Sequence, residues 1–184
     1  MKYFKKLVGE KVYLSPNNLE DYPLFTKWLN DRNISDNLGN TSMVYTMDLE
    51  KKWMETECDS SVRFSIVKKD NDELIGSCSL MKVNNINRTC TIGIFIGEEK
   101  YRHNGYGTDA IKLLLSFAFD IYNMNNVDLQ VFDFNKDAIE CYKKIGFRQY
   151  GKRSKCYYVN GKYHDEIFME ILKDDYMKEG LEKV

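Results

Sequence analysis

Proline is nearly missing from this sequence, with two in 184 residues, so proline-rich linkers and extended proline helices are excluded. No stretch approaches the roughly 20 consecutive apolar residues that a membrane-spanning helix requires. Excess charge is missing as well. The 27 Lys and Arg residues are balanced by 28 Asp and Glu, which removes both the basic footprint of nucleic-acid binding and the basic face of membrane-surface binding. Histidines number two, too few for a His-based metal site. The cysteines, Cys58, Cys78, Cys90, Cys141 and Cys156, are odd in number, widely spaced and without a Cys-x-x-Cys pair. That pattern fits reduced thiols and neither a disulfide framework nor a zinc site. Met1-Lys2-Tyr3-Phe4-Lys5-Lys6 starts basic but lacks the apolar run of a signal peptide. The expectation is a cytoplasmic protein that works without a metal, a nucleic acid or a membrane, on a small molecule or peptide.

What is present suits a well-packed globule. Residues 1–184 make one domain of ordinary size, with 43% hydrophobic and 14% aromatic residues to fill a single core. Lys11-Val12-Tyr13-Leu14 reads as a strand, and Leu24, Phe25, Trp28 and Leu29 recur at helical spacing after a Ser15-Pro16-Asn17-Asn18 turn. The polar stretch 30–47 reads as a loop or broken helix, and Asp48 to Cys58 as a helix. The period then changes to two. Val62, Phe64 and Ile66 alternate, and 74–83 and 89–97 form two further β-rich runs joined by Asn84-Asn85-Ile86-Asn87-Arg88, which makes an antiparallel meander. Ile111, Leu114, Leu115, Ala118 and Tyr122 form a helical stripe. Val127, Leu129 and Val131 mark a strand, 135–145 a second amphipathic helix, and 147–159 with 165–172 a hairpin around Asn160-Gly161. The result is an α+β chain with a mixed sheet.

The segment Arg102-His103-Asn104-Gly105-Tyr106-Gly107 lies between a strand and a strong helix, where free backbone N–H groups and the helix dipole favour an anion. Gly105 and Gly107 permit close approach of a phosphate, Arg102 adds a fixed positive charge, and Thr108 and Asp109 open the helix. By itself the short glycine pattern fits a flexible turn equally well. Gly105-x-Gly107-x-x-Ala110 with Asp133 also satisfies the dinucleotide fingerprint, but Glu98 to Asn104 separate it from the strand, whereas a dinucleotide turn begins at the strand end.

Arg102-x-x-Gly105-x-Gly107 resembles the acyl-CoA turn of the GNAT acetyltransferase superfamily. One strand and helix later, Asn135 to Phe147 is similar to that family's Asn-x-x-Ala-x-x-x-Tyr-x-x-x-Gly-Phe block, with Asn135, Ala138, Tyr142, Gly146 and Phe147 in register. The hairpin Tyr158-Val159-Asn160-Gly161-Lys162-Tyr163 further resembles the RimJ/RimL-like branch, which includes ribosomal-protein N-terminal and polyamine acetyltransferases. The resemblance implies the GNAT fold, a mostly antiparallel sheet with a splayed parallel pair, flanked by about four helices. It implies acetyl-CoA as cosubstrate and a primary amine (a protein N-terminus, a polyamine or another small amine) attacking the thioester directly in a ternary complex.

Under that resemblance, Phe95-Ile96-Gly97 is the strand end that holds the pantetheine arm, and a backbone N–H there polarises the thioester carbonyl. Arg102 to Thr108 hold the pyrophosphate, and Asn135 caps its helix and sits near the cofactor. Tyr142 stands where the family places the acid that protonates the departing sulfur. On periodicity alone, Tyr142 belongs to a core stripe with Ala138, Ile139 and Ile145. Thr91 occupies the position where some relatives carry a glutamate, so a water chain is expected to collect the amine's proton. Glu98 is the nearest alternative acid, with a solvated turn carboxylate as its plainer reading. Asp31, Asp36 and Asp48 could draw in a cationic amine, though Arg32 interleaves with them. A non-catalytic acyl-CoA-binding module is the alternative to an enzyme. Exposed meander and hairpin edges could pair two chains into a homodimer.

Overall fold

The computed structural model of the protein describes residues 2–56 and 61–178. Its centre is an eight-stranded sheet: β1 (Leu7–Val8), β2 (Val12–Pro16), β3 (Val62–Lys68), β4 (Leu74–Asn84), β5 (Thr89–Ile96), β6 (Asn126–Phe132), β7 (Arg148–Val159) and β8 (Lys162–Leu172). The strands lie side by side in the order β1-β2-β3-β4-β5-β6-β8-β7. Every pair is antiparallel except β5 with β6. The hairpins form where turn chemistry allows. Asn84 Oδ1 accepts from the N–H groups of Ile86 and Asn87 to close β4 onto β5. Asn160 and Gly161 both take positive φ, 51° and 78°, the geometry that a two-residue turn needs to match strand twist. Because that turn is so tight, Val159 pairs directly with Lys162, and β8 begins three residues earlier than expected.

Six α-helices flank the sheet among the described residues: α1 (Tyr22–Leu29), α2 (Arg32–Leu38), α3 (Met47–Glu55), α4 (Tyr106–Ser116), α5 (Lys136–Ile145) and α6 (Lys173–Lys178). About four were expected. The two additional ones, α2 and α6, span seven and six residues, too few turns to print a readable period. α2 stands because it is capped at both ends: Asp31 Oδ1 accepts from Asn33 N, and Gly39 closes it in the left-handed region. The expected end of α3 at Cys58 lies outside the described residues. None of these helices is long and apolar enough to cross a membrane.

The sheet separates two packed layers. Ile66, Ile75, Leu80, Leu113, Leu114, Leu129 and Ile145 fill the layer beneath α4 and α5. Tyr13, Phe25, Trp28, Ile34 and Val67 fill the opposite layer beneath α1 and α2. Alternation along each strand sends successive side chains to opposite layers, so residues on either side of one cleft can come from neighbouring positions in sequence.

Candidate active site

Strands β5 and β6 pair at only three positions, Thr89 with Asn126, Cys90 with Val127 and Thr91 with Asp128. Beyond them the strands diverge: β5 follows β4 as far as Ile96, and β6 follows β8 as far as Phe132. The opening is a cleft of about 720 Å³ that passes through the sheet. Arg102, Gly105, Thr108 and Tyr142 line it on the α4–α5 face, and Asn33, Phe132 and Glu166 line it on the other.

Backbone parity decides what β5 offers to the cleft. The Gly97 N–H donates to the Ile75 carbonyl at 2.8 Å. Alternate residues of a strand direct their backbone groups to opposite neighbours, so Phe95 shares Gly97's direction toward β4, while Ile94 and Ile96 face the cleft. The Ile96 carbonyl accordingly accepts long contacts of 3.4 Å from Nε and Nη2 of Arg102. Gly97 has another reason to be glycine. A Cβ there would lie 2.1 Å from Cε2 of Trp28, which is itself only 2% exposed. Of the strand end expected to hold a pantetheine arm, Phe95 and Ile96 line the cleft and Gly97 does not.

After β5 the chain makes one tight helical turn, Glu99–Tyr101, and then the segment 102–107. His103 and Gly105 adopt positive φ, 60° and 81°, the backbone region from which nests of N–H groups are built. Gly105 is the N-cap of α4 and brings no side-chain acceptor. The first helical bond runs from Asp109 N to Gly105 O, so the N–H groups of Tyr106, Gly107 and Thr108 have no acceptor within the helix. Asp109 does not oppose an anion there. Its carboxylate is turned outward and accepts from the backbone N–H groups of Glu10, Lys11 and Val12 at 3.3, 2.8 and 2.9 Å. Lys11 Nζ completes the latch by donating to the Asn104 carbonyl at 2.8 Å. The Asn104 side chain is spent on the turn itself, donating to the Lys100 and Arg102 carbonyls, and Tyr106 packs edge-on against Tyr101. Neither side chain lines the cleft, so their contribution is backbone. His103 lines the cleft, with Nε2 3.8 Å from Asp137 on α5.

Asn135 caps α5, its Oδ1 accepting from Ala138 N at 3.3 Å, and it lines the cleft beside Ala138. Seven residues on, Tyr142 is 9% exposed and meets Phe147 edge-on. Its hydroxyl makes no hydrogen bond with the described residues, although the ring is enclosed. Burial raises the phenol above the ordinary tyrosine range, which keeps its proton in place at neutral pH. Cys141 points to a different part of the lining, with Sγ 3.3 Å from Thr108 Oγ1. That contact joins the start of α4 to α5.

Glu98 belongs to the scaffold. Oε1 accepts from Lys27 Nζ at 2.7 Å and Trp28 Nε1 at 3.0 Å, and those bonds, Lys27 first, hold its carboxyl below the usual range. A carboxylate that resists protonation and sits away from the cleft is a poor base. Thr91 lines the cleft and is buried. Asp133, the candidate ribose acid, is taken by His164, with Oδ1 and Nδ1 2.9 Å apart. Asp31 and Asp36 are also occupied, Asp31 in capping α2 and Asp36 with Arg32 and Thr41; Asp48 lies in the first turn of α3. The carboxylate that does line the far mouth is Glu166, which no motif singled out. The signal was available in the alternation His164, Glu166, Phe168, Glu170, which places one face of β8 opposite Phe132, Gln130 and Asp128 of β6.

Comparison with known proteins agrees with this geometry. The sequence model of the acetyltransferase (GNAT) domain matches residues 11–148. The spermidine N(1)-acetyltransferase of Escherichia coli K12 is 31% identical over 121 residues, 66% of this chain and 64% of that enzyme. The chain thus spans slightly under two thirds of that relative's length. The spermidine N(1)-acetyltransferase of Vibrio cholerae is 28% identical over 130 residues, 71% of this chain and 75% of that enzyme. Among solved structures, the V. cholerae spermidine N-acetyltransferase in complex with CoA and spermine superposes with a TM-score of 0.84 at 24% identity, over 90% of this chain and 98% of that one. The divergent β5–β6 pair, the uncapped start of α4 and the extent of the sequence match together make this chain a member of the GNAT acetyltransferase domain family.

Proposed function

We propose that the protein transfers the acetyl group of acetyl-CoA to a primary amine by direct attack in a ternary complex. One observation carries the reading: the cleft runs through the sheet, so a cosubstrate held at the α4–α5 face leaves the opposite mouth free for an amine. A module that only bound acyl-CoA would need the first mouth and not the second.

The residues present fit the cosubstrate. The N–H groups of Tyr106, Gly107 and Thr108, the positive-φ turn at His103 and Gly105, and the Arg102 guanidinium suit a pyrophosphate. The cleft-facing backbone of Ile94 and Ile96 suits an extended amide arm, and an N–H of this edge can stabilise the carbonyl oxygen as it gains charge. Acetyl-CoA supplies an acyl group activated as a thioester. As the amine nitrogen bonds to the carbonyl carbon and the carbon–sulfur bond breaks, Tyr142 donates its hydroxyl proton to the sulfur. The proton lost by the amine passes to water, since Thr91 carries no basic group and Glu98 is held by Lys27 and Trp28. Asn135 positions Tyr142 by fixing the start of α5.

The relatives' names favour a polyamine as the amine, and the Asn160-Gly161 hairpin supports a RimJ/RimL-like placement. The test is CoA release from acetyl-CoA across polyamines, N-terminal peptides, amino sugars and amino acids. Release with one class above background hydrolysis supports transfer and identifies the amine. Retained acetyl-CoA binding with no release for any class overturns it in favour of a binding module.

A further inference from the structure

The far mouth of the cleft contains a carboxylate that the reaction above does not use. Strand parity places Thr91 and Phe95 of β5, Gln130 and Phe132 of β6, and Glu166 of β8 on the face opposite α4 and α5, with Phe132 and Glu166 in direct register. The α2 side of the mouth is neutral, lined by Asn33, Asn37 and Leu38. Phe132 is the aromatic wall. Its ring stacks on Tyr157 with centroids 4.1 Å apart, and on Phe134 at 5.7 Å. A hydrogen bond between the Tyr157 and Thr41 hydroxyls holds the stack against the segment after α2.

The neighbouring carboxylates are engaged: Asp133 with His164, Asp165 with Lys152 and the Lys155 N–H, and Glu170 with Arg148 and Asn126. Glu166 makes no hydrogen bond or ion pair with the described residues, and Arg153, its partner across the β7–β8 ladder, stays out of ion-pair range. A carboxylate with open acceptor capacity beside an apolar aromatic wall is a receptor for an ammonium carried on a methylene chain. Its place in the sheet separates it from the reacting nitrogen. Transfer occurs in the seam between β5 and β6, whereas Glu166 stands on β8, one strand spacing of about 4.8 Å beyond β6.

Resting on the acetyltransferase reading, we propose that Glu166 is a specificity-determining residue. It binds a second, protonated nitrogen of the substrate while the first nitrogen, uncharged, reaches the seam. The substrate class is then a flexible diamine or polyamine, in preference to a monoamine or to an amino acid, whose carboxylate Glu166 repels.

The experiment compares wild type with Glu166→Gln on a four-carbon diamine and on n-butylamine, with acetyl-CoA saturating. Loss of a charge-assisted bond predicts a roughly 10- to 100-fold fall in kcat/KM for the diamine, expressed mainly in KM, and no change for n-butylamine. An equal fall in kcat for both amines would assign Glu166 to proton transfer and overturn the proposal, as would an unchanged diamine KM. Calorimetric titration of the diamine into the CoA-bound protein separates this idea from its parent. Binding that weakens in Glu166→Gln without turnover of any amine sinks the transferase and retains the receptor, whereas equal binding by both proteins sinks the receptor.

Discussion

The two mouths of the cleft are built by different means. At the α4–α5 mouth the groups proposed to bind are largely backbone: the N–H groups of 106–108, the positive-φ turn at His103 and Gly105, and the edge of β5. They come from one continuous stretch, 94–108, assisted by Asn135 and Tyr142. At the opposite mouth the lining groups are side chains drawn from α2, β5, β6 and β8, held together by contacts over long sequence distance. Arg32 Nη2 donates to Asn160 Oδ1 at 2.7 Å, and Asn160 Nδ2 reaches Asp36 at 3.4 Å. On the proposed reading, a phosphate tail is common to every reaction using acetyl-CoA, and backbone amides can bind it whatever side chains surround them. The amine differs between enzymes, and side chains on separate elements can change to fit it without disturbing the backbone site.

This contrast can be broken most severely at Tyr142, the side chain of the first face that the proposed reaction uses as its acid. Tyr142→Phe should lower kcat by about 100- to 10,000-fold and leave acetyl-CoA affinity unchanged. The hydroxyl has no hydrogen bond to lose among the described residues, so thermal stability should also hold. Unaltered turnover under chemistry-limited conditions would remove Tyr142 from the mechanism.

Gly97 joins the two faces, and Gly97→Ala should destabilise the fold by about 3 kcal/mol, because the added methyl must displace the enclosed Trp28 indole. Chemical denaturation reads this directly; a stable variant would show that Trp28 can move aside. Gly105→Val attacks the backbone mouth alone. It forces a branched residue into the left-handed region at about 1–2 kcal/mol and should weaken acetyl-CoA binding about tenfold or more by calorimetry. Diamine binding at the other mouth should be spared, and loss of both would deny that the mouths are separately built.

The smallest effect is expected at Glu98. Its carboxyl is held below the usual range, chiefly by Lys27, so ionisation is favoured in the folded state. The stability it contributes is present above the unfolded carboxylate value of about 4.3 and is lost as pH falls through the lower folded value. The stability gap between wild type and Glu98→Gln should therefore be open at neutral pH and close in acid. A gap that widened in acid would reverse the assignment.

Much of the first mouth was legible because it is written in adjacent letters. Gly105 and Gly107 before a strong apolar stripe announce a helix start with exposed N–H groups, and Asn135 with Tyr142 seven residues later gives a capped helix facing the same way. The strands were legible from alternation, and the hairpin from Asn160-Gly161. The seven residues of α2 hold too few turns to show a period. Gly97 looked like part of the cofactor edge until the direction of its N–H, set by β4, sent it away from the cleft. Glu98 looked like a free acid until Lys27 and Trp28 closed on it, from some 70 residues earlier in the chain.

Local sequence was enough to determine the strands, the longer helices, their order and the glycine turn before α4, since caps, glycine conformations and side-chain periods act within a few residues of their cause. The tertiary structure alone decided where β5 leaves β6, which backbone amides face the gap, and which carboxylate at the far mouth is without a partner among the described residues. Each of those depends on strand register and on partners distant in the chain, and a strand's own residues do not specify either one.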